Sequence, residues 1–212
     1  MLTLIRRDVA YAWRGGGAAL PVLFFLLVAT LFAFAVGPDA KLLTRTGAGV
    51  LWMAALLAAL LPVDRLVEPD RLSGMLDQLV VRGYSDESVA AAKLIAHWLS
   101  FAPPLMLSVL PAAALLRIDP PTLIRLEAGL AIGTPALAAL GLTVSALTTG
   151  LRGAGALGGL LMLPLAVPVL IFGAGALSDD SGSALKLLAA VSLLLVAGTP
   201  FAAGAALRAA RT

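Results

Sequence analysis

Side chains capable of chemistry are scarce in this chain. Its 212 residues include one histidine, His97, and no cysteine, so neither a histidine-rich nor a thiolate metal site can be assembled within one chain. No glycine is followed directly by a lysine, which excludes a Walker A loop for binding ATP. Asp179 and Asp180 have no partner cation nearby and indicate a solvated turn. We therefore expect this chain to be no enzyme and to bind no cofactor or metal itself.

His97 stands beside Trp98 at the predicted end of a membrane span. Amphipathic side chains are common at that depth. We interpret His97 as an interfacial residue, with a role as ligand or proton carrier as the alternative.

Charged side chains are concentrated in residues 64–93, the longest stretch with the composition of a soluble protein. Pro69 suits the first turn of a helix, and Glu68 and Asp70 place negative charge at its positive end. One apolar stripe follows at helical spacing: Leu72, Met75, Leu76, Leu79 and Val80. The sequence predicts that Arg82-Gly83 ends this helix.

A second helix is predicted to begin at Ser85, followed by an acidic first turn, and to run through Lys93 into a membrane span. Residues 64–93 therefore predict a helical hairpin. Gly74 lies inside its first predicted helix, where glycine costs about 1 kcal/mol relative to alanine, and this favours close packing there.

The apolar stripe must be covered, either by the membrane and the chain's own span ends or by a partner protein. Six acidic residues argue against adsorption to an anionic leaflet: Asp64, Glu68, Asp70, Asp77, Asp86 and Glu87. We therefore favour a partner protein.

The remaining sequence indicates a polytopic, all-α membrane protein forming one domain over residues 1–212. It is 60% hydrophobic and 13% charged, with a mean hydropathy of +1.00, whereas soluble domains are about 25% charged. Six uncharged runs are long enough to cross a bilayer as helices: 18–36, 47–63, 94–116, 128–149, 154–177 and 187–207. The absence of charge within them argues against a proton- or sodium-coupled transporter.

The positive charges predict the orientation. With a cytoplasmic N-terminus, the inner segments 1–17, 64–93, 150–153 and 208–212 carry ten of the 15 basic residues. This excess predicts that both termini are cytoplasmic. The net charge is +3, but the basic residues form no cluster in the sequence. We therefore expect no nucleic-acid partner.

Residues 1–17 predict a helix lying on the inner leaflet. Leu2, Ile5, Val9 and Trp13 share one face, and Arg6, Arg7 and Arg14 point away. Gly15-Gly16-Gly17 supplies a hinge into the first span. A solvated tail is the alternative, and a cleaved signal peptide is disfavoured because the apolar run of about 19 residues exceeds the usual 7–15.

Small residues form two further surfaces within the spans. Gly129 and Gly133 make a GxxxG pair, and Gly155, Gly158 and Gly159 line another surface. Such surfaces let helices approach closely, either within one bundle or in a dimer.

The stretch "EPDRLSGMLDQLV", with the helical span "AAKLIAHWL" after it, resembles the signature that follows the second span of ABC-2-type exporter permeases. An ordered set of segments is similar, over nearly the whole chain, to the CcmB family of haem exporter permeases in cytochrome c maturation. These segments are "MLTLIRRDVAYAWRGGGAALPVLFFLLVATLFAFAVGPD", "GVLWMAALLAALLPVDRL", "AKLIAHWL", "GTPALAALG" and "LPLAVPVLIFGAGA". Pro69 departs from the family signature, which is often a continuous polar helix.

The resemblance implies a permease subunit in the bacterial inner membrane that works with a separate ABC ATPase, where ATP is bound. It implies as further partners a second copy of the chain, other membrane subunits of cytochrome c maturation and a periplasmic haem chaperone, with haem handled by the complex. The residues expected to dock the ATPase are Glu68, Asp70, Leu72, Gly74, Met75, Leu76, Asp77 and Leu79. A generic ABC-2 exporter of a lipid, polysaccharide or drug and a non-transporting scaffold are the alternatives.

Overall fold

The computed structural model describes residues 1–14, 16–151, 154–178 and 180–211. Within these ranges the chain forms nine α-helices and no strand, so the prediction of an all-α protein is confirmed. They are α1 (Leu2–Arg14), α2 (Ala19–Val36), α3 (Ala40–Leu60), α4 (Glu68–Leu72), α5 (Met75–Val81), α6 (Asp86–Leu115), α7 (Pro120–Thr148), α8 (Ala154–Gly175) and α9 (Gly182–Ala209), with a 3-10 turn at Val63–Arg65.

Six of these helices are long and apolar enough to cross a membrane. They are α2, α3, α6, α7, α8 and α9, and each covers most of one predicted apolar run. α6 has 30 residues, about 45 Å at 1.5 Å per residue, which exceeds the bilayer core of about 30 Å. The long helices therefore extend beyond the hydrocarbon.

Two of these helices begin well before the predicted apolar run. α3 begins at Ala40, not at residue 47, and α7 begins at Pro120, not at residue 128. Asp39 and Asp119 cap these helices by accepting hydrogen bonds from the amides of Leu42 and Thr122. Side-chain caps fix a helix start independently of hydrophobicity, so both helices begin in charged sequence.

α7 is the central helix, packing against α3, α6, α8 and α9. α2 lies at the periphery and buries only a narrow stripe formed by Pro21, Phe25 and Ala29. Leu23 and Leu27 between these positions are exposed, as are many apolar side chains of α8. A bilayer covers such surfaces in a protein of this hydropathy.

The fully buried indole of Trp52 joins α3 to α7 and α8. A Cβ added at Gly173 would lie 2.5 Å from the indole Cζ2, and one at Gly129 would lie 3.2 Å from its Nε1. The indole also occupies the space a side chain would need at Gly133. Gly129 and Gly133 therefore serve packing within one chain, which settles one of the two uses that their spacing allowed.

The second small-residue surface has a mixed outcome. A Cβ at Gly158 would meet Val63 and Val144 at 3.5 and 3.6 Å, whereas one at Gly159 would meet no atom within 4 Å. Gly155 lies where no side-chain surroundings are described.

Candidate functional site

In residues 64–93, which we continue to call the hairpin, the predicted first helix is broken in two. α4 ends at Leu72 and α5 begins at Met75, with Gly74 between them at φ +70°. This left-handed conformation suits glycine, and a Cβ there would meet nothing within 4 Å. The expectation of one continuous helix closely packed at Gly74 is therefore wrong.

The start and the end of the hairpin follow the predicted signals. Pro69 lies in the first turn of α4 beside Glu68 and Asp70. α5 ends before Arg82, and Gly83 adopts φ +82°. Ser85 caps α6 by accepting a hydrogen bond from the amide of Ser88, and α6 continues through Lys93 into the membrane-spanning segment.

The predicted apolar stripe is partly buried and partly exposed. Leu76 and Leu79 are only 2% and 4% exposed and belong to the apolar core of the chain. Leu72 and Val80 are 71% and 41% exposed, and Met75 is half-buried. Val81, which was not part of the predicted stripe, is 88% exposed. We name the exposed residues Leu72, Ser73, Val80 and Val81 the hairpin tip. A partner can therefore reach the tip, whereas the chain itself covers Leu76 and Leu79.

Asp70 belongs to an ionic cluster joining three elements. Its Oδ2 lies 2.5 Å from Nζ of Lys93 on α6 and 2.7 Å from Nη2 of Arg7 on α1. Asp8 contacts both cations, at 2.5 Å from Arg7 and 3.4 Å from Lys93. Lys93 is 5% exposed and also donates to the carbonyl oxygen of Leu66. We call Arg7, Asp8, Asp70 and Lys93 the junction cluster.

Glu68 connects the hairpin to the turn between α7 and α8. Its carboxylate pairs with Arg71 at 2.6 Å and accepts a hydrogen bond of 3.1 Å from the amide of Gly150. Arg152 in this turn, counted above among the inner cations, lies outside the described residues.

The end of the chain is held against the start of α6. Arg211 makes a two-pronged contact with Asp86 at 2.5 and 2.7 Å, which raises the pKa of its guanidinium above the ordinary value. Arg208 pairs with Glu87 at 2.5 Å. Asp77 is exposed and lies 4.0 Å from Arg211. These contacts place α1, the hairpin and the end of α9 at the same end of the bundle.

α1 packs partly into the protein. Leu4, which the pattern did not single out, is buried, while Ile5 and Val9 are half-buried. Leu2, Arg6 and Trp13 are exposed, which leaves the prediction of a membrane-surface helix open. The turn into α2 has Gly16 at φ +71°, whereas Gly15 lies outside the described residues.

The side chain of His97 is buried among the helices, whereas its interfacial depth in the membrane stays a prediction. Its ring centroid lies 4.9 Å from that of Phe101. Its Nε2 has no hydrogen-bond partner among the described residues and faces Gly141 on α7. His97 therefore lies inside the bundle, eleven residues after the start of α6. The solvated turn predicted at Asp179 and Asp180 stays a prediction, because Asp179 lies outside the described residues.

A cavity of about 540 Å³ opens between α1, the start of the hairpin and α6. The junction cluster lines one side, and His97, Ser100 and Phe101 line another. A second cleft lies at the opposite end of the bundle, between α3, α7 and the end of α8. Within the described residues no group of three or more acidic or histidine side chains could hold a metal ion.

Six apolar helices around a buried centre, with charged contacts gathered at one end, define a multi-pass α-helical membrane protein. Comparison with known families identifies it further. The family model "CcmB protein" matches residues 1–210, and the chain belongs to this family.

Curated relatives cover nearly the full length. A protein of Paracoccus denitrificans named "Heme exporter protein B" is 46% identical over 98% of both chains. Proteins of the same name from Rhodobacter capsulatus and Haemophilus influenzae are 44% and 42% identical, over 98% of this chain and 98% and 96% of theirs.

Proposed function

We propose that this chain is the permease subunit of an ABC-type haem exporter acting in cytochrome c maturation. Membership of the CcmB family over residues 1–210 carries this proposal, and the names of the full-length relatives support it. The chain would lie in the bacterial inner membrane with both termini and the hairpin in the cytoplasm.

The proposed partner at the hairpin is a separate ABC ATPase subunit, which would supply the ATP site. The tip offers exposed Leu72 and Val81, and Asp77 of the same segment is exposed as well, which is suitable for a partner groove with an apolar centre and a polar rim. Glu68 and Asp70 are engaged in contacts within the chain. Their proposed role is therefore to hold the hairpin in place, while the tip residues and Asp77 meet the ATPase.

We propose that motion of the ATPase reaches the membrane through the ionic contacts. Closure of two ATPase subunits on nucleotide would displace the tips of two permease chains. The junction cluster would pass the displacement to α6 and α1, and Asp86 would pass it to α9 through Arg211. The nucleotide drives this change because it binds the two states with different affinity. Haem would be handled together with other membrane subunits of cytochrome c maturation and a periplasmic haem chaperone.

Deletion and complementation test the proposed process. Cells lacking this chain are expected to lose c-type cytochromes, whose covalently attached haem is detected by haem staining of a denaturing gel. Expression of the intact chain is expected to restore them. A strain that keeps its c-type cytochromes but loses export of a lipid, polysaccharide or drug would instead indicate a generic ABC-2 exporter. A scaffold without transport would show no nucleotide-dependent change in crosslinking between the outer ends of α3 and α9.

A further inference from the structure

The cavity beside the junction cluster has two chemically different zones. Its apolar zone is formed by Phe101, Pro62, Leu66 and Ala96, with the ring of His97. Its charged zone contains Arg7, Arg65 and Lys93 together with Asp8 and Asp70. A ligand that fills the cavity must therefore have an apolar body and a charged group.

The charged zone favours an anion. Three cations and two carboxylates leave the lining with a net charge of +1. The two carboxylates are already held by Arg7 and Lys93. Arg65 is exposed and forms no ion pair within the part of the chain that the structure describes. Its guanidinium can bind a carboxylate or a phosphate in two-pronged geometry.

The cavity also lies where an amphiphile can enter. Tyr11 of α1 forms part of its lining and is exposed. Trp13, on the same helix, is exposed as well. Exposed tyrosine and tryptophan are typical of the depth at which lipid headgroups lie, and a volume of about 540 Å³ is ordinary for a small-molecule site.

We propose that this cavity binds an acidic amphiphile, with its carboxylate or phosphate against Arg65 and its apolar body against Phe101 and His97. Two sources share this chemistry: an anionic phospholipid of the inner leaflet, and haem, whose carboxylates project from an apolar ring. Binding of a phospholipid would go beyond the proposed function, whereas binding of haem would rest on that function and deepen it. A bound molecule would contact both α1 and α4, so its presence would affect the position of the hairpin.

The test uses the full chain in phosphatidylcholine nanodiscs without any ATPase. Binding of phosphatidylglycerol is measured by native mass spectrometry, and binding of hemin by absorbance titration. At least one probe is expected to bind saturably. Arg65→Gln should weaken this binding roughly tenfold, because a charge-assisted hydrogen bond is lost. Ala96→Phe, which fills the apolar zone, should abolish it.

Arg82→Gln is the matched control, because Arg82 is an exposed arginine on the same hairpin that does not line the cavity. It should bind both probes as the unaltered chain does. The probe that binds saturably identifies the source. The proposal is overturned if neither probe binds saturably. It is also overturned if Arg65→Gln binds the probe as tightly as the unaltered chain does, whatever the effect of Ala96→Phe. Because no ATPase is present, such a failure leaves the proposed permease function untouched.

Discussion

At the residue scale, the packing of Trp52 depends on glycines from two other helices. Gly129 and Gly133 of α7 and Gly173 of α8 leave the space that the indole fills. Protein interiors tolerate little added volume, because side chains are packed as densely as in organic crystals. The packing of α3 against α7 and α8 is therefore sensitive to single methyl groups.

Gly173→Ala tests this dependence. The new Cβ would lie 2.5–2.8 Å from three ring atoms of Trp52, and overpacking of this kind costs about 1–3 kcal/mol. We expect a lower midpoint of thermal unfolding in detergent. Gly159→Ala on the same helix is the control, because its Cβ would meet no atom within 4 Å. Equal midpoints for the two variants would contradict the packing described.

The glycine spacing could be read from the sequence, but its partner could not. A GxxxG pair predicts close approach without saying what approaches, and here an aromatic side chain from α3 enters the slot. The burial of His97 was likewise missed, because an apolar run shows the depth of a residue and not which side of its helix faces other helices.

At the scale of elements, the junction cluster connects α1, the hairpin and α6. Its two cations and two carboxylates balance in charge around Lys93, which is 5% exposed. A buried charge that loses a partner is costly. Asp70 is therefore expected to determine how firmly α1 is attached.

Asp70→Ala should destabilise the chain by up to about 3 kcal/mol and loosen α1. Hydrogen exchange of the amides in residues 2–14 is expected to become faster. Asp64→Ala is the control, because Asp64 is exposed in the same polar segment and makes no ion pair with the described residues. Unchanged exchange in the Asp70 variant would show that the cluster does not hold α1.

Hydrophobicity was sufficient to predict the six long helices, because most of each helix is an uncharged apolar run. It was insufficient for the starts of α3 and α7, where Lys41, Arg45, Arg125 and Glu127 interrupt the apolar pattern. Asp39 and Asp119 are recognisable as capping residues in the sequence, but the predicted runs were bounded by hydropathy and not by caps. The break at Gly74 was hidden because the apolar spacing continues across it, and pairs such as Arg7 with Asp70 join residues far apart in the chain.

At the scale of the whole molecule, the charged contacts gather at one end and the apolar surfaces surround the bundle. The hairpin tip lies at the charged end, whereas Ser178 lies at the opposite end, after α8. An even number of spans agrees with both termini lying on one side. The positive charges predict that this side is the cytoplasm.

The chain contains no cysteine, so single cysteines report the orientation directly. Ser178→Cys is expected to react with a membrane-impermeant thiol reagent in intact spheroplasts. Ser73→Cys, also exposed, is expected to react only after the membrane is permeabilised. The reverse pattern would invert the proposed topology.

The central claim is that the hairpin tip docks an ABC ATPase, and co-purification of the two subunits tests it most directly. The variant Leu72→Asp/Val81→Asp changes two exposed side chains. It should insert into the membrane, and elute in size-exclusion chromatography, as the unaltered chain does. Leu42→Asp makes the same kind of change at the opposite end, where Leu42 is also exposed. We predict that the tip variant loses the ATPase while the Leu42 variant retains it. Retention of the ATPase by the tip variant at the level of the unaltered chain would contradict the claim.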